Sequence, residues 1–209
     1  MSSKSVMQTT YLYSIGHGQK TIDELINELI SFDIKFLIDV RSSPFSKWAP
    51  HFNRGTIENL LNGFPIRYAY LGDVIGGRPL DDSCYDKEGF FDYHKMALMP
   101  QFIEGLKRLI SANEQQLKVA VMCSESNPAE CHRSKLIGRE LYFGANIEMA
   151  HIIAPFKTRS QIEIMTELDL DKGNWPNGDI FNPFPEPPYF KSRKAYKNIE
   201  IIEEFNPYD

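Results

Sequence analysis

Short apolar runs alternate along the chain with stretches in which apolar residues recur every three to four positions. Each run is short enough for a buried β-strand, and the stretches have the spacing of amphipathic helices. The predicted strands lie at residues 10–15, 35–40, 66–71, 117–123 and 147–153. Strands that alternate with helices favour a parallel sheet covered on both faces. We therefore predict a three-layer α/β fold, with about five mostly parallel strands and helices on both faces of the sheet.

The first predicted helix carries its own start signal. Thr21 and Glu24 have capping-box spacing, in which the Thr21 hydroxyl accepts from the Glu24 amide and the Glu24 carboxylate reaches back. The apolar residues that follow have helical spacing: Ile22, Leu25, Ile26, Leu29 and Ile30. A helix directly after Thr21 is therefore expected.

The proline content changes near residue 155. Prolines stand at positions 155, 176, 183, 185, 187, 188 and 207. Proline interrupts helices and sheets because it lacks a backbone donor. We predict a compact α/β domain at residues 11–153 and a proline-rich C-terminal extension at residues 154–209. The extension would pack on the domain or trail from it, with one short helix near residues 160–168.

The composition is that of an ordinary globular protein, with 42% hydrophobic and 24% charged residues among 209. This is enough apolar material to bury a core, which excludes disorder of the whole chain. No apolar run approaches the ~20 residues of a membrane helix. Residues 1–10 lack the apolar segment of a secretory signal, and the cysteines number 3. These features predict a cytoplasmic protein with free thiols and no membrane contact.

Charge and motifs narrow the classes of ligand. The net charge of −5 argues against broad, non-specific binding to nucleic acids, but it leaves room for a local basic pocket. Neither Gly-x-Gly-x-x-Gly nor Gly-Lys-Ser/Thr occurs, so a dinucleotide fingerprint and a P-loop are both unsupported. The glycines at 72, 76 and 77 are explained equally well by a loop that needs left-handed backbone.

Polar or glycine-rich residues lie at the ends of all five predicted strands. They are His17 between two glycines, Asp39 and Arg41, Asp73 in a glycine-containing stretch, Cys123 with Glu125, and His151. Ligands of open α/β sheets bind beyond the carboxyl ends of the strands. These residues are therefore expected to surround a site.

The segment of residues 123–133 has the strongest chemical content. Cys123 ends a predicted buried strand, and Asn127 predicts a helix start four residues later. A helix N-terminus favours anions and lowers the pKa of a neighbouring thiol. Cys123 is therefore the predicted nucleophile, and Glu125 and His132 are the residues expected to tune it.

Arg133 and Arg41 are the predicted anion-binding residues. A helical wheel turns Arg133 toward the site and Cys131 roughly the opposite way, so Cys131 is packed, merely exposed or has a function of its own. Asp39 and Arg41 share a face of their strand, as a structural ion pair or as a ligand-binding arginine oriented by a carboxylate. His17 is either a turn residue or part of the site.

Two known kinds of cysteine site fit less well. Tyrosine phosphatases and rhodaneses also place a cysteine between a strand and a helix, but phosphatases have an arginine six positions later, where this chain has Ala129. A zinc site would have suitable donors in Cys123, Glu125, Cys131 and His132. However, adjacent residues on one helix diverge by about 100°. We therefore predict neither a metal site nor a cofactor.

Four motifs occur together and in order. They are Tyr13-Ser-Ile-Gly-His17, Asp39-Val-Arg41-Ser-Ser-Pro44, the stretch from Leu71-Gly72 to Gly76-Gly77, and Met122-Cys-x-Glu-x-x-Pro-x-x-Cys-His-Arg133. With these motifs the chain resembles the domain of unknown function 488 family over roughly residues 11–153. The resemblance implies a compact α/β domain, usually bacterial or archaeal and cytoplasmic. It implies no established reaction.

Together these features predict an enzyme that acts on a small or nucleotide-like anionic substrate, as a cysteine-dependent hydrolase or transferase. The predicted catalytic residues are Cys123, Glu125 and His132. The predicted substrate-binding residues are His17, Asp39, Arg41, Cys131 and Arg133. The sequence does not indicate an oligomeric state.

Two other functions stay open. One is a non-catalytic module that binds a nucleotide or a nucleic-acid end, with Trp48, Phe52 and Tyr70 stacking on a base. Basic residues of the extension would add charge to it or form a solvated tail: Lys191, Arg193, Lys194 and Lys197. The other is an interaction protein in which the 123–133 segment is only structural.

Overall fold

The computed structural model describes residues 10–170 and 189–196 of the chain. Six strands form one sheet, and two more form a small ribbon. The strands of the sheet are β1 (Leu12–Gly16), β2 (Phe36–Asp39), β3 (Arg67–Tyr70), β5 (Val119–Cys123), β6 (Ala150–Ala154) and β7 (Lys157–Ser160). The ribbon consists of β4 (Phe90–Asp92) and β8 (Lys191–Ala195).

The helices connect the strands in the alternating order that the sequence predicts. They are α1 (Ile22–Ser31), α2 (Arg54–Leu61), α3 (Gly72–Ile75), α4 (Tyr93–Ala97), α5 (Pro100–Glu114), α6 (Arg139–Ala145) and α7 (Gln161–Leu170). Short 3₁₀ turns cover Pro50–Phe52, Asp82–Cys84 and Pro128–Glu130, and a π-helical segment covers Arg133–Gly138. The capping box of α1 is confirmed, because the Thr21 side chain accepts from the Glu24 amide and the Glu24 carboxylate accepts from the Thr21 amide.

The strand order of the sheet is β3-β2-β5-β1-β6-β7, and the first five strands run parallel. In this register Gly16 lies beside Cys123, and Asp39 lies beside Met122. The carboxyl ends of β1, β2 and β5 therefore meet at one edge of the sheet. This edge carries most of the residues that the sequence analysis assigns to a site.

Two apolar clusters cover the two faces of the sheet. Val121 of β5 belongs to one cluster, together with residues of α3, α4, α5 and α6. Its neighbours Ala120 and Met122 belong to the other, together with residues of α1 and α2. Successive residues of a strand point to opposite faces, so β5 contributes to both cores. The three-layer arrangement is thereby confirmed.

The sheet has one strand more than the sequence pattern predicts. β7 follows β6 after the two residues Pro155 and Phe156 and pairs with it in the antiparallel direction. Phe156 takes the left-handed conformation that this tight reversal requires (φ 57°). The pattern fails here because β7 is a polar, partly exposed edge strand without an apolar run.

The predicted division into residues 11–153 and 154–209 stays a prediction. Of the second range, the structure describes residues 154–170 and 189–196, and both parts contact the domain. α7 corresponds to the helix predicted near residues 160–168. β8 pairs with β4, and the remaining residues of the proline-rich extension lie outside the described ranges.

Within the described residues, every helix is too short or too polar to cross a membrane.

Candidate functional site

A polar cleft of about 270 Å³ opens beyond the carboxyl ends of β2 and β5. Its wall includes Ser42, Phe45 and Arg78, and Tyr196 lines it from the C-terminal side. Its lining also contains Arg41 and, at the end of β5, a group of three buried side chains and the half-buried Glu125. We call this group, Cys123, Glu125, Cys131 and His132, the thiol cluster.

Short distances link the members of the thiol cluster. The Sγ of Cys123 lies 2.8 Å from the Oε2 of Glu125, and the Sγ of Cys131 lies 3.4 Å from the same oxygen. The Nδ1 of His132 lies 3.8 Å from the first sulfur and 3.5 Å from the second. Both cysteines are free thiols, with only 6% and 2% of their surface exposed. Cys123, Glu125 and His132, the predicted catalytic residues, thus meet at one point.

The position of Cys131 differs from the helical-wheel prediction, which turned it away from Arg133. Cys131 has an extended backbone (φ −118°, ψ 151°) between the 3₁₀ turn and the π-helical segment. The 100° step between residues therefore does not apply from residue 131 to 132. As a result, the Sγ of Cys131 and the Nε of Arg133 are only 3.2 Å apart.

Arg133 is buried and supports the cluster from inside the protein. Its Nε and its backbone N–H donate to the Sγ of Cys131, at 3.2 and 3.5 Å. Its Nη2 donates to the backbone oxygen of Glu125 at 2.5 Å, and its Nη1 donates to Ser14 at 3.3 Å. These contacts position the cysteine sulfur and do not form the open anion clamp that the sequence suggested.

The ring of His132 has a fixed orientation. Its Nε2 lies 3.2 Å from the backbone oxygen of Val40, and a carbonyl can only accept, so Nε2 carries the proton. The lone pair of Nδ1 then faces the two sulfurs. Gly77 leaves room on this side, because a Cβ there would lie 2.7 Å from Nδ1.

The surroundings of the two thiols favour opposite charge states. Burial alone would raise the pKa of Cys131, but the hydrogen bond from Cys123 and the charge of Arg133 hold that pKa well below its ordinary value. The hydrogen bond with Cys131, followed by burial, raises the pKa of Cys123 well above its ordinary value. The pair therefore favours a thiolate on Cys131 and a thiol on Cys123.

Asp39 and Arg41 form a buried ion pair. The Nε and Nη2 of Arg41 donate to the two carboxylate oxygens, at 2.9 and 2.6 Å. Tyr68 also donates to Asp39, and Nη2 of Arg41 donates to the backbone oxygen of Phe52. Of the two possibilities that the sequence left open, these contacts therefore favour the structural ion pair, although Arg41 also lines the cleft.

His17 belongs to this second cluster. Its Nε2 accepts from Arg41 at 3.3 Å, which leaves Nδ1 to donate to the oxygen of Gly18, and its ring stacks on Phe52. Burial and the Arg41 cation lower the pKa of His17 from 6.5 to about 4. Its loop touches the Glu125 loop, because a Cβ on Gly16 would lie 2.0 Å from the Glu125 oxygen. His17 thus supports the site as part of a tight turn.

His151 lies behind Arg133, outside the cleft lining. Its Nδ1 is 2.6 Å from the hydroxyl of Ser14, and its Nε2 is 2.8 Å from the side-chain oxygen of Gln161. Burial lowers the pKa of His151 to about 3, and the Arg133 charge contributes in the same direction. The chain Gln161–His151–Ser14–Arg133 therefore fixes the guanidinium from behind.

Sequence reasoning missed several supporting residues. Ser14 was visible as the one serine inside the apolar run of β1, which could have marked it as a buried polar residue. Gln161, Val40 and Tyr68 carried no signal, because an isolated amide, a backbone oxygen or a tyrosine has no distinguishing pattern.

A comparison with models of protein families assigns the chain to a family. A family model described as a domain of unknown function, DUF488, matches residues 21–139. No curated protein and no solved structure matches the chain. The matched residues span α1 to the end of the π-helical segment, and they include all of the thiol cluster. Since the match covers more than half of the 209 residues, the chain belongs to the DUF488 family, whose domain has no known function.

Proposed function

We propose that the protein is an enzyme that acts on a small anionic substrate in the cleft, with a cysteine thiolate as nucleophile. The observation that carries the proposal is the meeting of two thiols, a carboxylate and an imidazole in the buried part of an open cleft. A thiol with neighbouring basic groups and limited access to water is the arrangement that nucleophilic catalysis needs.

The contacts favour Cys131 as the nucleophile, in place of Cys123. Two N–H groups of Arg133 donate to the Cys131 sulfur, and such donors suit a thiolate. The Cys123 sulfur lies 2.8 Å from the Glu125 carboxylate, whose negative charge favours the protonated thiol. The Cys123–Glu125 pair is therefore suited to proton transfer.

The proposed reaction has two steps. The Cys131 sulfur forms a bond to an electrophilic centre of the substrate, and the leaving group departs with its electron pair and a proton from Cys123 and Glu125. Water, in a hydrolase, or another acceptor, in a transferase, then attacks the intermediate and returns a proton to this pair. The Cys131 thiolate is released in the second step.

An anion in the cleft would meet several donors. Arg41 uses four of its five side-chain N–H groups for Asp39, His17 and Phe52, and the residue also lines the cleft. Ser42 and the exposed Arg78 lie on the same wall. These groups support the proposed preference for an anionic substrate.

Alkylation with a charged and a neutral reagent tests the proposal. Reduced, metal-free protein is treated at neutral pH with iodoacetate or iodoacetamide, and mass spectrometry locates the modified cysteine. Cys131 should react much faster than the buried Cys84. The ratio of its rate with iodoacetate to its rate with iodoacetamide should be higher than the same ratio for free cysteine. Inertness of Cys123 and Cys131 until the protein unfolds would remove the nucleophile.

Turnover of small anionic esters gives a second test. Cys131→Ala should abolish any hydrolysis that the wild-type protein shows, and Cys84→Ala should retain it, provided that circular dichroism shows both variants folded. Full activity of Cys131→Ala would contradict the proposal.

A non-catalytic nucleotide-binding module is the second candidate. Trp48 is 97% exposed, and Phe45 lines the cleft from the same loop, so both are available for stacking. Of the other aromatics predicted for this role, Phe52 is buried and Tyr70 stacks under Arg54. Salt-sensitive nucleotide binding that quenches tryptophan fluorescence and survives Cys131→Ala would favour this candidate.

The basic residues of the extension give this candidate little further support. Lys191 pairs with Asp86 at 2.6 Å, and Arg193 pairs with Glu130. Lys197 lies outside the described residues.

We also propose that the protein works in a reducing, cytoplasmic compartment. All three cysteines are free, and the two of the thiol cluster both lie close to the same carboxylate oxygen. A free, adjacent pair of thiols is kept reduced in such a compartment.

A further inference from the structure

We propose that the thiol cluster of Cys123, Glu125, Cys131 and His132 is a binding site for a zinc ion. The proposal goes beyond the enzymatic function and does not depend on it. It rests on the spacing of the donor atoms of Cys123, Cys131 and His132, the position of Glu125 beside both sulfurs, the orientation of the imidazole, the compensation of charge and the access from the cleft.

The donor atoms of Cys123, Cys131 and His132 lie close enough for three corners of a tetrahedral site, and the Glu125 carboxylate adjoins both sulfurs. With Zn–S bonds of about 2.3 Å and Zn–N or Zn–O bonds of about 2.0–2.2 Å, the sulfur-to-nitrogen and sulfur-to-oxygen edges are about 3.5 Å. The two sulfur-to-Nδ1 distances are 3.8 and 3.5 Å, and the two sulfur-to-Oε2 distances are 2.8 and 3.4 Å. The donor atoms of Cys123, Cys131 and His132 all lie within 4.8 Å of one another. Small side-chain shifts would therefore admit the ion.

The imidazole of His132 is already oriented as a ligand. Metal-binding histidines usually donate their second ring N–H to a carboxylate or a backbone oxygen, which fixes the ring and exposes the other nitrogen. Here Nε2 donates to the oxygen of Val40, and Nδ1 faces both sulfurs. A histidine that only filled space would not need this orientation toward two thiols.

The charges of the site balance when zinc is bound. Two thiolates and one carboxylate carry three negative charges, and the ion neutralises two of them. Arg133 supplies the third positive charge through its N–H contacts to the Cys131 sulfur. Burying this cluster with compensating charges avoids the large cost of an unpaired ion.

The cleft gives the ion a path to the site. All four residues line it. The absence of a side chain at Gly77 keeps the space beside the Nδ1 of His132 free, since a Cβ there would lie 2.7 Å away.

On one continuous helix, the adjacent side chains of Cys131 and His132 would diverge by about 100° and could not share an ion. The extended backbone at Cys131 removes this obstacle, because it directs the side chain toward the imidazole of the next residue.

Zinc and the nucleophile would compete for the same sulfurs. A bound ion takes both thiolates as ligands, so the reactive thiolate belongs to the metal-free protein. Zinc occupancy should therefore protect Cys123 and Cys131 from alkylation.

Metal titration of the reduced full-length chain tests the site directly. Zinc is added to metal-free protein in competition with a chromophoric chelator, and cobalt is used as a spectroscopic probe of the same site. We expect one ion per chain and thiolate-to-cobalt charge-transfer absorption. Cys123→Ala and Cys131→Ala should each weaken zinc binding by more than the roughly 10–100-fold that changes around a metal site cost.

Two further variants complete the experiment. Cys84→Ala is the matched control, because it removes a buried thiol elsewhere in the protein and should leave zinc affinity unchanged. Glu125→Gln replaces a partly exposed carboxylate and should fold like the wild type while binding zinc more weakly.

Three results would overturn the zinc site. They are zinc affinity no higher than that of Cys131→Ala, a cobalt complex without thiolate charge transfer, and alkylation that zinc does not slow. Each of these results is independent of turnover, so the proposed enzyme can stand or fall separately.

Discussion

The Nε of Arg133 lies 3.2 Å from the Sγ of Cys131, and both side chains are buried. A cation in direct contact with a sulfur stabilises the thiolate, whether that sulfur attacks a substrate or binds a metal. The guanidinium also contacts Ser14 and the backbone of Glu125. One residue therefore ties together β1, the loop after β5 and the cysteine itself.

Replacing this cation should affect both reactivity and stability. In Arg133→Met the length of the side chain is kept but the N–H donors are lost. Without the cation the Cys131 thiol should become mostly protonated, and each pKa unit above the solution pH then lowers the thiolate fraction about tenfold, so we expect alkylation of Cys131 to slow by at least about tenfold. Unsatisfied partners should also lower the free energy of unfolding by about 1–3 kcal/mol. Arg108→Met is the control, because Arg108 is exposed and 4.0 Å from Glu104; unchanged alkylation in both variants would contradict the assigned role.

The buried pair of Asp39 and Arg41 should be a major source of stability. In Asp39→Asn the buried arginine loses its countercharge. Removing one partner of a buried ion pair lowers the free energy of unfolding by about 3–5 kcal/mol. Denaturant titration measures this loss. Asp33→Asn breaks a pair with Lys35 that is exposed, and it should leave the denaturation midpoint nearly unchanged. Equal effects of the two variants would show that the Asp39–Arg41 pair is not structural.

Acid should destabilise the protein through His17 and His151. Their pKa values in the folded protein are about 4 and about 3, against 6.5 in an exposed histidine. Below pH 6.5 the unfolded chain binds more protons, so these two groups stabilise the fold fully above that pH and progressively less as the pH falls toward 4. Each contributes a slope of up to ~1.4 kcal/mol per pH unit.

Variants separate this effect from general acid denaturation. His151→Gln keeps a donor and an acceptor for Ser14 and Gln161, and it should flatten the dependence of the free energy of unfolding on pH between 6.5 and 4. His94→Gln changes an exposed residue and should leave that slope as it is. If the slope of His151→Gln equals that of the wild type, His151 is not the titrating group.

The contact between the loops after β1 and β5 should not tolerate a side chain at Gly16. In Gly16→Ala the new Cβ would lie 2.0 Å from the backbone oxygen of Glu125, so the loop that carries Glu125 must move. We expect a lower melting temperature and the loss of both fast alkylation and zinc binding. Gly55→Ala, in α2 with open space around it, should be neutral or slightly stabilising. A fully functional Gly16→Ala would show that this loop contact does not matter.

The parallel core of the fold could be predicted because its strands are buried on both faces and therefore apolar. The edge strand β7 and the ribbon strand β8 could not, since they are polar and have no apolar run. The candidate site could likewise be predicted only in part. The 123–133 segment was visible because its chemistry is local in sequence, and the end of a parallel strand is a common place for a site.

The supporting contacts could not be predicted because they join distant positions. Ser14 and His151 are 137 residues apart, and Ser14 and Arg133 are 119 apart. The wheel argument also failed at Cys131, where the helix is interrupted by one extended residue. For Arg41 the sequence left two possibilities, and only the contacts with Asp39 and Phe52 decided how much of the guanidinium is used.

The central position of β1 has a consequence for the order of assembly. β1 precedes the other described strands along the chain, yet it lies between β5 and β6, and Leu12 pairs with Val119 while Tyr13 pairs with Ala150. Such non-local pairing makes folding slow, because β1 stays unpaired until its partner strands have been synthesised. On the ribosome, a nascent chain that already contains Cys123 and Cys131 still lacks β6 and His151. The reactivity that we propose for these thiols would therefore be acquired only when the sheet closes, and the rate of reaction with a thiol reagent should report whether the chain has finished folding.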